Sequence, residues 1–199
     1  MFTGIVEEAG RVERITQTRK SIELVVRTAV CGRGLKVGAS LAVNGCCRTA
    51  VQARARGRHK LVQFDLLRET WIRTNLQFAR IGSLVNLERS LPADGRLGGH
   101  FVTGHIDDLG EVTRWEPVGE SWRLEVRVPA ELARYLARKG SITVNGVSLT
   151  VNRVEGDRFE VNLIPHTLEV TNLKSLRVGA QVNLEVDLLA RYIERLFQA

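Results

Sequence analysis

The chain has 199 residues, 44% hydrophobic and 26% charged, which excludes a disordered or collagen-like protein. That length admits one large domain or two of roughly 90–100 residues each. Lys and Arg outnumber Asp and Glu by 29 to 22, a net charge of +7 that raises an anionic partner, although the excess is mostly Arg and spread along the chain.

The amino terminus, Met1 to Glu8, has neither a basic region nor a long apolar stretch, so no targeting segment is read there. Ile22-Glu-Leu-Val-Val-Arg27 alternates near period two, as a strand does. Cys31, Cys46 and Cys47 cannot all pair, and adjacent Cys46 and Cys47 make poor disulfide geometry. No CxxC spacing marks a zinc site. The densest basic run, Arg54-Ala-Arg-Gly-Arg-His-Lys60, reads as a solvated hairpin tip, and Leu91-Pro-Ala-Asp-Gly-Arg-Leu-Gly-Gly99 as a linker.

Beyond the linker, Trp122-Arg-Leu-Glu-Val-Arg-Val128 repeats the strand alternation. Pro129 to Lys139 is expected to be a short helix, with Leu132, Tyr135 and Leu136 on one face and Gly140 after its end. Ser141 to Val151 reads as strand, tight Asn-Gly turn, strand. Phe159 to Leu163 and Val182 to Val186 read as further strands. The tail, Leu188 to Phe197, is amphipathic through Leu189, Tyr192, Ile193 and Leu196. Such a face docks on its own barrel or pairs with another subunit. No segment approaches the roughly 20 apolar residues of a membrane span. The three tryptophans do not recur as strand stacking platforms, which argues against nucleic acid. The expectation is a cytosolic, reduced protein.

The chain repeats itself, the most informative feature it has. Thr3 to Arg14 lies over Thr103 to Arg114, and Ser40-Leu-Ala-Val-Asn-Gly-Cys-Cys-Arg-Thr49 over Ser141-Ile-Thr-Val-Asn-Gly-Val-Ser-Leu-Thr150. Leu66 to Thr70 lies over Leu163 to Thr167, Thr74-Asn-Leu76 over Thr171-Asn-Leu173, and Gly82 to Glu88 over Gly179 to Glu185. Same order and near-constant offset mean a tandem duplication. Short strands broken by Gly and Asn turns argue for a small closed antiparallel barrel in each copy.

Duplication yields two related pockets, so chemistry is sought where the copies disagree. Ile5 is aligned with His105, Cys47 with Ser148, Ser90 with Asp187 and Arg68 with Pro165. One pocket thus offers a thiol; the other offers an imidazole, a hydroxyl and a carboxylate. Each has a bland alternative: a satisfied polar histidine, a small buried cysteine, and for Asp187 a helix N-cap, the reading its spacing favours. Thr49 and Thr150 share a strand face with Cys47 and Ser148, giving matched polar edges suited to a flat heterocycle with amide-like groups.

Met1-Phe-Thr-Gly-Ile-Val6, Val43-Asn-Gly-Cys-Cys47 with Thr49, Gly98-Gly-His-Phe-Val-Thr-Gly-His-Ile106, Val144-Asn-Gly-Val-Ser-Leu-Thr150 and Leu163-Ile-Pro-His-Thr167 together resemble the riboflavin synthase alpha-chain family over essentially the whole chain. The resemblance implies an all-β fold: two tandem six-stranded antiparallel Greek-key barrels with a C-terminal helix. Residues 1–90 would form the first lumazine-binding barrel, 91–99 the linker, 100–187 the second barrel and 188–199 a trimerisation helix. It also implies a transferase that dismutates two molecules of 6,7-dimethyl-8-ribityllumazine. A four-carbon unit passes from one to the other, giving riboflavin and 5-amino-6-ribitylaminouracil, without metal or redox cofactor. The active site would lie between the first barrel of one subunit and the second barrel of its neighbour in a homotrimer. Association with lumazine synthase is a partner the resemblance leaves open. Lumazine-binding antenna proteins look similar but tend to lose the reactive residues.

Carried onto this chain, Gly4, Ile5 and Val6 with Cys47, Arg48, Thr49 and the run Asp65, Leu66, Leu67, Arg68, Glu69 and Thr70 would line the first lumazine site. Gly104, His105 and Ile106 with Lys139, Ser148, Leu149, Thr150 and the run Asn162, Leu163, Ile164, Pro165, His166 and Thr167 would line the second. Phe2, Ser40, Cys47, His105 and Asp187 match positions tied to catalysis in the family. The first step would remove a proton from the 7-methyl of the donor, whose carbanion delocalises into the ring. An imidazole such as His105 suits that base or relay. A nucleophile, water or a side-chain hydroxyl or thiol with Ser40 and Cys47 as the candidates, would activate C7 of the acceptor, and Asp187 would orient His105 or a ribityl hydroxyl.

Overall fold

The computed structural model describes residues 1–19 and 21–198; Ala199, the last residue of the expected tail, lies outside them. The first half contains β1 (Glu8–Gln17), β2 (Ile22–Thr28), β3 (Ser40–Val43), β4 (Cys46–Thr49), β5 (Gln52–Arg56), β6 (His59–Leu66), α1 (Arg68–Ile72) and β7 (Leu84–Arg89). The second contains β8 (Asp108–Val118), β9 (Ser121–Arg127), α2 (Ala130–Ala133), β10 (Ser141–Val144), β11 (Val147–Thr150), β12 (Arg153–Glu155), β13 (Arg158–Leu163), α3 (Pro165–Val170) and β14 (Gln181–Val186), followed by the tail helix α4 (Leu188–Phe197).

The two sheets have the same order, β4-β3-β7-β1-β2-β6-β5 and β11-β10-β14-β8-β9-β13-β12, and every pairing is antiparallel. Strand β7 returns to lie beside β1, with β3 beyond it, which is the connectivity of a Greek key. Each sheet has seven strands where six are expected, because one run is broken. β4 and β5 are consecutive in the chain, separated by Ala50 and Val51, yet occupy opposite edges of the sheet. The bend at that break curls the sheet on itself. Both β1 and β8 carry an irregularity at the same place, Val12/Arg14 and Val112/Arg114, which adds to the coiling.

Period-two alternation builds each core. Val12, Leu24, Val26, Leu41, Phe64 and Leu87 fill the first, and Val112, Leu124, Val126, Ile142, Phe159 and Leu184 the second, each such side chain contributing roughly 1.5–3 kcal/mol on burial. The tight turns form at Asn44-Gly45 and Asn145-Gly146, with φ of 48° at both asparagines, the left-handed conformation a two-residue hairpin requires. The basic run at residues 54–60 forms the exposed β5–β6 hairpin. The helix expected over residues 129–139 is shorter, only Ala130–Ala133. The chain must turn to bring the Lys139 amide onto the carbonyl of Val151 at 2.7 Å, while Tyr135 and Leu136 still pack on the second core.

The halves are locked together by asparagines. The Asn75 amide donates to Asn183 Oδ1 and the Asn172 amide to Asn86 Oδ1, both at 2.6 Å. Asn86 Nδ2 donates to the carbonyl of Asn145 at 2.9 Å and Asn183 Nδ2 to that of Asn44 at 2.8 Å. All four bonds cross between halves in twofold-related pairs. A Cβ at Gly45 would fall 2.8 Å from the Gly146 amide nitrogen, so the turns touch backbone to backbone. Buried amides satisfied only by the opposite half penalise any other docking.

Candidate functional site

Two segments without regular secondary structure, residues 1–6 and 100–106, run past each other between the sheets. Phe2 and Val102 exchange backbone hydrogen bonds at 2.7 and 3.2 Å. A buried glutamate anchors each strap. The Thr3 amide and hydroxyl donate to Glu88 Oε1 at 2.7 and 2.9 Å, and the Gly4 amide to Oε2 at 3.0 Å. The Thr103 amide and hydroxyl donate to Glu185 Oε1, both at 2.7 Å, and the Gly104 amide to Oε2 at 3.0 Å. Burial pushes the carboxyls of Glu88 and Glu185 up, and the strap donors pull against that shift. The threonine hydroxyls in turn accept from the amides of Ile5 and His105, each at 3.3 Å.

Each strap then reaches the other half. The Ser148 amide donates to the Gly4 carbonyl and the Cys47 amide to the Gly104 carbonyl, both at 2.8 Å. Both glycines have positive φ, 76° and 82°. A Cβ at Gly4 would lie 2.6 Å from Ser148 Cβ, and one at Gly104 2.6 Å from Cys47 Cβ. Val6 packs on the second core and Ile106 on the first. The grouping expected from the sequence is therefore exchanged. Gly4, Ile5 and Val6 stand with Ser148, and Gly104, His105 and Ile106 stand with Cys47. Sequence order hides this, because a strap belongs by chain to one half and by contact to the other.

Cys47 and Thr49 share the outer face of β4, and Ser148 and Thr150 that of β11, while Cys46, Val147 and Leu149 turn inward. Ser40 is the cross-strand partner of Thr49, so Ser40, Cys47 and the strap carrying exposed His105 gather at the first sheet. Asp187 sits at the end of β14, capping α4 by accepting from the Leu189 amide at 3.0 Å, and Arg191 of that helix reaches the His105 carbonyl at 3.4 Å. Arg48 bonds the Cys47 carbonyl and reaches Thr70 Oγ1 at 3.5 Å, tying in the 65–70 run. In that run Asp65, Leu67, Arg68 and Glu69 are exposed and Thr70 half-buried, while Leu66 is a core residue. On the second sheet Lys139, Asn162, Ile164, Pro165 and His166 are exposed and Thr167 half-buried. Leu149 and Leu163 face the core, and they can offer only backbone. Phe2 is fully buried with Ala42 and Val102 beneath the Gly104 strap, where its ring supports the strap.

Three residues at the site escape a reading of the sequence alone. Glu88 and Glu185 are visible there only as matching letters in the repeat. His100 lies outside the aligned blocks, so comparing the copies is silent about it. Its Nδ1 meets Ser148 Oγ at 2.7 Å and its Nε2 meets Thr143 Oγ1 at 3.2 Å. Burial pulls its pKa down, partly opposed by the charge of Asp187.

Among the described residues, no three His, Cys, Asp or Glu side chains gather as a metal site needs, and no helix is long and apolar enough to cross a membrane. A cleft of about 770 Å³ on the pseudo-twofold, bounded by Asn75, Asn172, Arg80 and Arg177, holds none of the expected site residues. A smaller one of about 410 Å³ borders Thr3, Ile5, Glu88 and Ser90. The tail helix binds its own half through polar contacts, Arg191 to Asp107 and Arg134 to Glu194, both at 2.7 Å. Its apolar face, Leu189, Tyr192, Ile193 and Leu196, stays exposed.

Two curled sheets of one topology, each with a polar pair on its outer face, define a tandem-duplicated antiparallel β protein, and comparison with known proteins gives its class. Residues 3–90 and 103–187 each match the lumazine binding domain. Riboflavin synthase of Mycobacterium bovis is 45% identical over 203 residues, covering 100% of this chain and 99% of the relative. That of Photobacterium phosphoreum is 42% identical over 197 residues, covering 98% and 88%. The crystal structure of LumP complexed with 6,7-dimethyl-8-(1'-D-ribityl) lumazine superposes with a TM-score of 0.82 at 26% identity, covering 94% of this chain and 99% of that one. The LumP complex with riboflavin gives a TM-score of 0.84 at 26% identity, with the same coverage. The chain belongs to the riboflavin synthase family of lumazine-binding enzymes.

Proposed function

We propose that this protein is a riboflavin synthase, dismutating two molecules of 6,7-dimethyl-8-ribityllumazine to riboflavin and 5-amino-6-ribitylaminouracil. The observation that carries the reading is the pairing of Cys47 with the His105 strap on one sheet, matched on the other sheet by a hydroxyl platform, Ser148 and Thr150; in an assembly the two platforms of neighbouring subunits would face each other. Holding two heterocycles in register replaces a bimolecular encounter, worth up to about 7–11 kcal/mol in ideal intramolecular systems. His105 is the base or relay for the 7-methyl proton, and Ser40 or Cys47 activates C7 of the acceptor. Asp187, which caps α4, orients His105 or a ribityl hydroxyl.

The exposed apolar face of α4 supports a homotrimer, with the first barrel of one subunit meeting the second of its neighbour; the reading as an enzyme of the cytoplasm comes from the family. A truncation at residue 187 should elute as monomer; a trimeric, active truncation would remove the helix from that assembly. The likeness to the LumP complexes gives a second reading, an antenna protein that binds lumazine without turnover. Against it, Ser40, Cys47, His105 and Asp187 are all present. Purified protein incubated with the lumazine should develop riboflavin fluorescence without added cofactor. Tight binding with no product assigns the chain to the antenna class.

A further inference from the structure

We propose that Glu88 and Glu185 are positioning residues that act across the molecule, each setting from its own sheet the wall of the site on the other. The inference rests on the functional reading above for what the sites bind, but not for how they are built.

Each carboxylate collects three donors from one strap: a threonine amide, the same threonine's hydroxyl, and the next glycine's amide. The glycine so held touches the variable residue of the opposite sheet, Gly4 against Ser148 and Gly104 against Cys47. Backbone bonds also hold the straps, between Phe2 and Val102 and from the opposite sheet to the Gly4 and Gly104 carbonyls, but the carboxylate is the side chain that collects three donors from each. Charge-assisted bonds of this kind are stronger than neutral ones. From Glu185 the series continues. The Thr103 hydroxyl donates to the carboxylate and accepts from the His105 amide, so one side chain in the second sheet fixes both Gly104 and the backbone of His105 beside Cys47. Glu88 does the same for the strap against Ser148, and that strap reaches Cys47 only by the apolar packing of the Phe2 ring, not by a hydrogen bond from the anchored threonine or glycine. A carboxylate that merely stabilised its own sheet would have its largest effect there. A positioning carboxylate has it on the other sheet.

Cys47 supplies the readout, since Cys31 and Cys46 are buried and Cys47 is half-buried. The rate of Cys47 alkylation by iodoacetamide, followed by peptide mass spectrometry, should rise at least threefold in Glu185→Gln and change less than twofold in Glu88→Gln. Gln keeps the shape but aims an amide N–H at the strap donors or leaves one of them unpaired. If Glu185→Gln fails to fold, Glu185→Asp, which keeps the charge and withdraws it, should show the same direction. A larger effect from Glu88→Gln, or equal effects from both, overturns the proposal. A separate measurement tests the reading beneath it: in the unmodified protein, the lumazine should protect Cys47 from alkylation. Absent protection with a crossed pattern intact defeats the functional reading and supports the positioning role. Protection with an uncrossed pattern does the reverse.

Discussion

Cys47 and Ser148 occupy the same place in two sheets of one topology, yet they are held differently. Ser148 faces Thr143 across the strand pair, and His100 bridges the two hydroxyls. Cys47 faces Ala42 at the same register and packs with Phe2 and Val102. A hydroxyl fixed by a neutral imidazole presents a set hydrogen-bonding polarity, suited to recognising one edge of a ligand. A soft thiol in an apolar setting, with an exposed imidazole on the adjoining strap, is suited to chemistry. Duplication made the two platforms alike. What lies opposite each, a strap from the other half and one cross-strand neighbour, made them different.

The largest blow to this comparison is struck at the strap. Gly104→Ala must place a Cβ in left-handed backbone, about 1–2 kcal/mol, and force it against Cys47, about 1–3 kcal/mol more. Denaturant unfolding should therefore register a loss of about 2–5 kcal/mol. Gly4→Ala should cost a similar amount, its clash falling on Ser148 rather than Cys47. An unshifted midpoint in Gly104→Ala would mean the strap is not seated tightly on Cys47.

A smaller change separates the roles of the two sides. His105→Gln should lower turnover about a hundredfold, the low end for loss of a positioned base or acid, while lumazine affinity moves much less. Steady-state kinetics beside a binding titration decide it, and parallel losses in both would reduce His105 to a binding residue.

The finest distinction is pH. Burial holds the folded pKa of His100 below the ordinary 6.5, so the unfolded chain takes up the proton more readily. The contribution to stability is whole above about pH 6.5 and is lost as pH falls through the unfolded pKa towards the folded one. Stability measured from pH 7.5 down to 5.5 should fall less steeply in His100→Gln than in the unmodified protein. Equal slopes would show that the imidazole does not titrate in this interval, and the contrast with the Cys47 side would rest on packing alone.

Much of this was legible in the sequence, because it is local. Asn-Gly turns, alternating strands and the Asp187 cap each depend on neighbours within a few residues, and the repeat showed that the pattern occurs twice. Period two placed Cys47 with Thr49 and Ser148 with Thr150. The exchange of straps was not legible, since nothing in the order of residues says that Gly4 meets Ser148 rather than Cys47. The asparagines show the same limit. Asn44, Asn75 and Asn86 match Asn145, Asn172 and Asn183 letter for letter, yet the letters do not say that they bond to one another across the pseudo-twofold. His100 lay outside the aligned blocks, where the copies offered no comparison.

The exchange of straps also bears on how the two halves can change over generations. A bulkier residue in place of Ser148 requires room at Gly4, and one in place of Cys47 requires room at Gly104, whereas positions 47 and 148 place no direct demand on each other. Divergence between the halves is therefore permitted where they correspond and constrained where they touch. In descendants of the ancestral tandem gene, covariation is expected between positions 4 and 148 and between 47 and 104, crosswise to the repeat.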